Sequence, residues 1–255
     1  MCLIFLAYNQ HPEYPLIIAA NRDEFLNRPA KPLDYWDDNS NILAGRDKVA
    51  GGTWMGITRS GYFALLTNYR DPKNLKSNVP SRGKLVSGYL MGDFNPPSYL
   101  KALFASAANY NGYNIILGTL DDPWYFSSGD DRITRLGSGI YGLSNAFLDT
   151  KWPKVERGKE KFKQIISQDK ISTDALLEMM QDKSLAEDKQ LPDTGVGYEI
   201  EKQLSAMFID MEGYGTRSTT ILLNHKSGEV EMIERTHSSI NQSGTDVKFV
   251  LSPQR

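Results

Sequence analysis

Only one cysteine occurs in 255 residues, and it stands at position 2. That excludes an intramolecular disulfide and the paired-cysteine patterns of zinc and redox sites. A reducing compartment, the cytoplasm, is the expected setting. Histidine is also scarce. His11, His225 and His237 fall in or near turn-rich segments without metal-ligand spacing, so no metal is expected. No stretch approaches the roughly 20 apolar residues of a membrane span. The opening run Cys2 to Tyr8 lacks a basic flank and a small-residue cleavage site, and it reads as a buried strand rather than a secretory signal. Neither sign of charge dominates: 29 Lys and Arg are interspersed with 31 Asp and Glu. Nothing in that balance marks out nucleic acid or an anionic membrane as a partner. Gly137-Ser138-Gly139 is a lone G-x-G outside any dinucleotide-binding context, so no cofactor is expected from it either.

What is present suffices for a large core. A chain of this length buries roughly 70–75% of its unfolded surface, and one domain over residues 1–255 is expected. Apolar runs Leu3 to Tyr8 and Leu16 to Ala20 flank a turn-rich segment and predict a hairpin. Thr53 to Thr58 and Tyr62 to Asn68 predict a second, with an irregular polar stretch from Asn27 to Val49 between the two. Ser81 to Ala108 has helical spacing with Asn95-Pro96-Pro97 as a start signal, predicting two short helices. Four short runs from Tyr113 to Leu143 predict an antiparallel meander, and Pro153 to Ile166 and Thr173 to Met180 predict two further helices. The closing runs Ala206 to Ile209, Ser218 to Leu223, Val230 to Arg235 and Phe249 to Leu251 predict strands. Strands grouped on either side of a helical block argue for an α+β fold with layered antiparallel sheets, not for a doubly wound parallel sheet.

The first hairpin locates the chemistry. A turn centred near His11 and Pro12 sets Cys2 opposite Asn21 or Arg22, so the sole thiol shares a strand edge with Asn21-Arg22-Asp23-Glu24. A neighbouring guanidinium favours the thiolate. If Met1 is removed, Cys2 also carries an α-amine, whose pKa of about 7.7–8.0 suits a general base. The bland alternative is a small apolar cysteine in a buried strand, with Arg22 ion-paired to its acidic neighbours. The second hairpin sets Gly51-Gly52 opposite Asn68 and Tyr69. Asn68, and Asn145 after the run ending at Ser144, can each donate to an oxyanion, although turn or capping roles are the commoner use of asparagine. Gly142-Leu143-Ser144-Asn145-Ala146 is a degenerate nucleophile elbow, but no helix starts directly behind Ser144. Arg217 follows a glycine-rich turn and by itself reads as a surface or ion-paired arginine.

Seven segments carry a resemblance: Met1-Cys2, Ala20-Asn21-Arg22-Asp23-Glu24-Phe25, Gly51-Gly52-Thr53-Trp54-Met55-Gly56, Leu66-Thr67-Asn68-Tyr69-Arg70, Ser81-Arg82-Gly83, Gly142-Leu143-Ser144-Asn145 and Gly215-Thr216-Arg217-Ser218-Thr219. In content and order they resemble the NRDE, or transport-and-Golgi-organisation, family, which is similar to N-terminal-nucleophile hydrolases of the choloylglycine and penicillin V acylase type. The resemblance implies a four-layer αββα sandwich and a small-molecule amide as substrate. It implies Cys2 as nucleophile, Arg22 and Asp23 as its flanking pair, Asn68 and Asn145 as oxyanion donors, and Arg217 as a second cation near the thiol. Asn21 with Glu24 fits the acylase spacing of the flanking pair equally well. The family's eukaryotic members are linked to secretory organisation, lipid metabolism and haem handling without an established reaction, so a non-catalytic binding or trafficking protein is the alternative. A thiol-dependent acyl transferase or thioesterase is a third. A retained Met1 is expected at the pocket mouth, blocking the thiol.

Overall fold

Alternation along the first strand sets the layering. In β1 (Cys2–Tyr8), Leu3, Phe5 and Ala7 point to one side and Ile4 and Leu6 to the other, and each set enters a different buried cluster. The computed structural model describes residues 2–130, 132–237 and 244–253, so the expectation for Met1 lies outside the described residues. β1 pairs with β2 (Leu16–Phe25), and the register places Cys2 opposite Arg22. The first sheet continues through β12 (Tyr214–Asn224), β13 (Val230–Thr236) and β14 (Thr245–Leu251), with β10 (Gly139–Leu143) outside β1 and the short β11 (Asp210–Met211) on β12. The second sheet runs in chain order through β3 (Ala30–Trp36), β4 (Asn39–Asp47), β5 (Met55–Thr58), β6 (Tyr62–Asn68), β7 (Tyr113–Thr119), β8 (Asp122–Ser127) and β9 (Ile133–Arg135).

Three buried clusters separate four layers. Ile4, Leu6, Ile18, Ile57, Leu65 and Ile116 fill the space between the sheets. Leu3, Phe5 and Ile221 meet Val155, Phe162 and Leu176 under α3 (Pro153–Ile166) and α4 (Thr173–Met179). Ala64, Leu66 and Ile115 meet Val86, Tyr89 and Leu100 under α1 (Gly83–Met91) and α2 (Pro96–Ser106). Each fully buried Leu, Ile or Phe contributes about 1.5–3 kcal/mol. The result is the αββα sandwich. α2 and α3 start at Pro96 and Pro153, where the missing N–H costs nothing, and Asn95 and Ser172 cap α2 and α4 by accepting from Ser98 N and Ala175 N. α3 lies close over β1 because residue 158 is glycine: a Cβ there would stand 2.0 Å from the Phe5 ring.

Several expectations are corrected. The stretch from Asn27 to Val49 is a hairpin, β3 with β4, rather than irregular. Its polar reading came from an edge strand with two register shifts and outward polar residues, a position that also tolerates Pro32. The meander ends at β9. Leu136 then enters the core between the sheets, and the chain crosses to pair β10 with β1. Ala206, Met207 and Ile209 are buried without forming a strand, and α5 (Tyr198–Gln203) precedes them unforeseen. Gly51 and Gly52 do not pair with Asn68, because β5 begins at Met55 and Gly51 occupies a turn at φ 75°. The described residues hold 14 strands and five α-helices, more than sequence patterning suggests.

Candidate active site

Parity decides which members of the Asn21–Glu24 run face the thiol. Arg22 stands opposite Cys2 and shares the inter-sheet side of β2 with Ile18 and Ala20. Its guanidinium carbon lies 4.3 Å from the centroid of the Trp54 ring, a cation–π contact across the sandwich, and its ionic partner is Glu24 at 3.9 Å. Asn21 and Asp23 point the opposite way. The Asn21 amide is fully used, with Nδ2 donating to Met180 O at 2.8 Å and Met207 O at 2.9 Å, and Oδ1 accepting from Thr219 Oγ1 at 2.7 Å. It is a structural clamp, and its partners take it out of the running for the flanking pair. Asp23 accepts from Thr216 Oγ1 at 2.7 Å, and its backbone carbonyl accepts from the Tyr214 hydroxyl at 3.1 Å.

At the open end of the two sheets these strand ends border a cleft of about 310 Å³. Cys2, Arg22, Asp23, Glu24 and Asn68 line one side; Ser81, Arg82 and Gly83, at the start of α1, line the other. The size falls within the range of small-molecule sites. Asn145 is not among the lining residues. It is buried behind Asn68, its Nδ2 donating to Asn68 O at 2.9 Å and its own carbonyl accepting from Arg70 N at 2.7 Å. Arg217 is likewise outside the cleft. It borders a separate depression on the far side of Arg22 and Trp54, and donates through Nη1 to Phe25 O at 3.1 Å and Leu26 O at 2.7 Å. A shift in the β2–β12 ladder between Thr216 and Ser218 turns it there. Ser144 is buried, its Oγ donating to Asn145 Oδ1 at 3.2 Å, and α3 begins only at Pro153; it forms no elbow.

Burial governs the electrostatics. It pushes the Cys2 thiol above its ordinary value; Asp23 adds to the rise, and the Asp23 backbone amide and Arg22 pull the other way without prevailing. Proximity of Arg22 therefore does not by itself yield a thiolate, contrary to the sequence-based expectation. Burial also raises the Asp23 carboxyl, opposed by Lys154, Thr216 and Arg22. Lys154 is 1% exposed, donates through Nζ to Leu204 O at 2.9 Å, and is lowered by burial to about 8, with Asp23 acting against the shift. Next to it lies a second buried ionic group: Arg70 Nη1 to Glu201 at 2.7 Å, with the guanidinium over the Trp152 ring at 4.8 Å. Trp54 and Arg82 sit in quoted motifs, yet their place in the site was not read from them. Lys154 and Glu201 give no sequence signal, since each stands in a helix turn where a solvated charge is the rule. Among the described residues no group of three or more His, Cys, Asp and Glu is placed to hold a metal ion.

Comparison with known proteins agrees with this architecture. The family model for Transport and Golgi organisation 2 matches residues 1–239. The mouse Transport and Golgi organization 2 homolog is 39% identical over 256 residues, covering 92% of each chain, and the human homolog is 38% identical over the same length and coverage. Transport and Golgi organization protein 2 of Drosophila melanogaster is 25% identical over 270 residues, covering 96% of this chain and 95% of its own. Among solved structures, a Caenorhabditis elegans N-acylethanolamine-hydrolyzing acid amidase ortholog superposes with a TM-score of 0.53 at 10% identity, covering 87% of this chain and 92% of its own, a likeness of fold. On the strength of the family model and of relatives matched along nearly their whole length, the chain belongs to the Transport and Golgi organisation 2 family.

Proposed function

We propose that the protein is an N-terminal-cysteine amidohydrolase that cleaves a non-peptide carbon–nitrogen bond of a small molecule through a thioester on Cys2. The observation that carries this reading is the placement of the sole thiol, paired with Arg22, on a cleft it shares with Asn68. Because burial keeps the thiol protonated, a base is required, and the α-amine of Cys2, exposed by loss of Met1, supplies it. The amine takes the thiol proton while sulfur bonds to the substrate carbonyl carbon. The carbonyl oxygen becomes an oxyanion that the Asn68 amide stabilises, with Asn145 holding the Asn68 backbone from behind. Collapse breaks the C–N bond, and the departing nitrogen takes the proton from the α-ammonium. Water, deprotonated by the same amine, then attacks the thioester; the acid leaves and the thiol re-forms. Arg22 orients the strand edge and tempers the thiol. Asp23, coupled to Lys154, sets the local field. Arg217 anchors the end of β2 and takes no step. A single cysteine, which can form no intramolecular disulfide, suits a reducing compartment, and we assign the cytoplasm.

A second reading, a non-catalytic binder of lipid or haem on the same fold, draws on the same raised thiol, since a half-buried cysteine that stays protonated is a poor nucleophile. Intact-protein mass after incubation with p-nitrophenyl acetate separates the two. The hydrolase reading expects a single acetyl adduct that forms and then decays by hydrolysis, absent from Cys2→Ala. A chain that remains unmodified over hours, with its N-terminus at Cys2, supports the binder.

A further inference from the structure

Among the described residues, ion pairing around the cleft leaves one arginine without a partner within 4.0 Å. Arg22 is balanced by Glu24, and Arg28 by Asp47 at 2.7 Å and by Glu24 at 3.9 Å. Asp47 also accepts from Val49 N and Ala50 N, so its carboxylate is committed. Asp23 faces Lys154. Arg82 lines the same cleft, yet among the described residues it takes part in no ion pair within 4.0 Å; its one protein acceptor is Gly112 O, 2.9 Å from Nη1. The rest of its fork of N–H donors makes no hydrogen bond or ion pair to an acid; Glu24 attracts it from a distance but is shared by Arg22 and Arg28, and Arg28 repels it. The first turn of α1, directly after Arg82, contains no acidic residue. A partly buried guanidinium beside a thiol, whose nearest acid is shared by two other arginines, is left short of negative charge that an anion from outside can supply.

The geometry points to Arg82 as an anion-recognition residue: the cleft takes a small molecule that presents an oxyanion group, a carboxylate or a phosphate, to Arg82 while its scissile carbonyl lies at Cys2. The placement of the carbonyl rests on the hydrolase reading; the anion site does not. Planar, two-toothed contact with a carboxylate or phosphate is what the guanidinium fork provides and an ammonium does not. Ser81 stands on the same side of the cleft, its hydroxyl available as a further donor.

Cys2 is the sole thiol, so alkylation reports this site alone. Second-order rate constants for iodoacetate and iodoacetamide, measured by intact mass, give a ratio in which thiol reactivity cancels. With wild type the ratio is expected to fall about tenfold on Arg82→Gln, the effect of losing one charge-assisted contact, and only in part with Arg82→Lys. An unchanged ratio in a folded Arg82→Gln variant overturns the proposal. Arg82→Lys keeps the test decisive if Arg82→Gln fails to fold: the loss of the fork should still lower the ratio, and a wild-type ratio overturns the proposal. Thermal shift with sodium acetate and with inorganic phosphate, at fixed ionic strength, identifies the anion. A rise in Tm with acetate alone assigns a carboxylate, and with phosphate alone a phosphate, provided that Arg82→Gln or Arg82→Lys reduces it. If neither alkylating agent reacts, an Arg82-dependent shift sustains the anion site while the nucleophile reading fails; no shift with either anion then defeats the site itself.

Discussion

The two sides of the cleft are built differently. One side is made of strand ends whose polar groups are held by ladders and buried partners: Cys2 by its pairing with Arg22, Asp23 by Thr216 and Tyr214, and Asn68 by Asn145. The other side is the chain between β6 and α1, where residues 73–78 are exposed and only a single 3₁₀ turn, Pro72–Asn74, gives regular structure. On the proposed reading the strand side holds the groups whose position must be fixed to a fraction of an ångström, and the loop side carries Arg82, proposed for recognition. Substitutions on the strand side should therefore act on turnover and stability, and those on the loop side on selectivity.

The sharpest way to break that division is from behind the strand side. Arg70 lies two residues beyond Asn68, and its Glu201 partner is 4% exposed, so Glu201→Gln takes a buried carboxylate away from a buried guanidinium. Urea unfolding should show a loss of about 3–5 kcal/mol, most of it regained in the double variant Arg70→Met/Glu201→Leu. Next in size, Asn68→Ala is expected to lower kcat for any amide substrate by about 10²- to 10³-fold with little change in KM; a change confined to KM would move Asn68 to the binding side. Smaller again is Gly52→Ala, which tests where the two sides touch. A Cβ at residue 52 would stand 2.5 Å from Gly83 C and 2.8 Å from Lys84 N, a backbone clash that only a shift of the α1 start relieves. A cost of about 1–3 kcal/mol is expected in unfolding, together with a lowered iodoacetate-to-iodoacetamide ratio as Arg82 moves.

A further effect concerns pH. His237 meets Thr219 Oγ1 at 2.8 Å, and Thr219 donates to Asn21 on the strand side. Burial, aided by Arg235, lowers its imidazole to about 4 from 6.5. The folded chain resists a proton that the unfolded chain accepts, so stability is present in full above pH 6.5 and falls as pH drops toward 4. His237→Gln should flatten the dependence of the urea midpoint on pH in that window. An unaltered slope would show that His237 contributes nothing there.

How much of this was legible in the sequence depends on how each residue earns its burial. Leu3 to Tyr8 and Leu16 to Ala20 are apolar on both faces because sheet lies on one side and helix on the other, and their length and turn pointed to a hairpin, its register to Arg22. β3 was not legible: Lys31, Pro32 and Asp34 face outward at a sheet edge, and only Leu33 and Trp36 are buried. Ala206 to Ile209 misled for the opposite reason. Met207 packs under α3 by Phe5 and Gly158, and such a short apolar run does not say whether its backbone pairs. In the site, Cys2, Arg22, Asp23 and Asn68 were found from hairpin pairing and motif order, and the structure brings all four to one cleft. Asn145 and Arg217 stand outside the cleft lining, the first held by a hydrogen bond to Asn68 and the second turned by a ladder shift. Lys154 follows a helix-starting proline, where a lysine is ordinarily solvated, and its burial against distant chain, with Nζ bonded to Leu204 O, has no local signal.

The account turns on one base, the α-amine of Cys2, which an attached Met1 would convert into an amide without basicity. The most direct measurement compares acetylation of Cys2 by p-nitrophenyl acetate at pH 7.5 in two preparations, one beginning at Cys2 and one retaining Met1, followed by intact mass. The chain beginning at Cys2 should acetylate and turn over, while the Met1-bearing chain should be slower by about 10²-fold or more, the contribution of a positioned general base. Equal rates in the two preparations would contradict the mechanism.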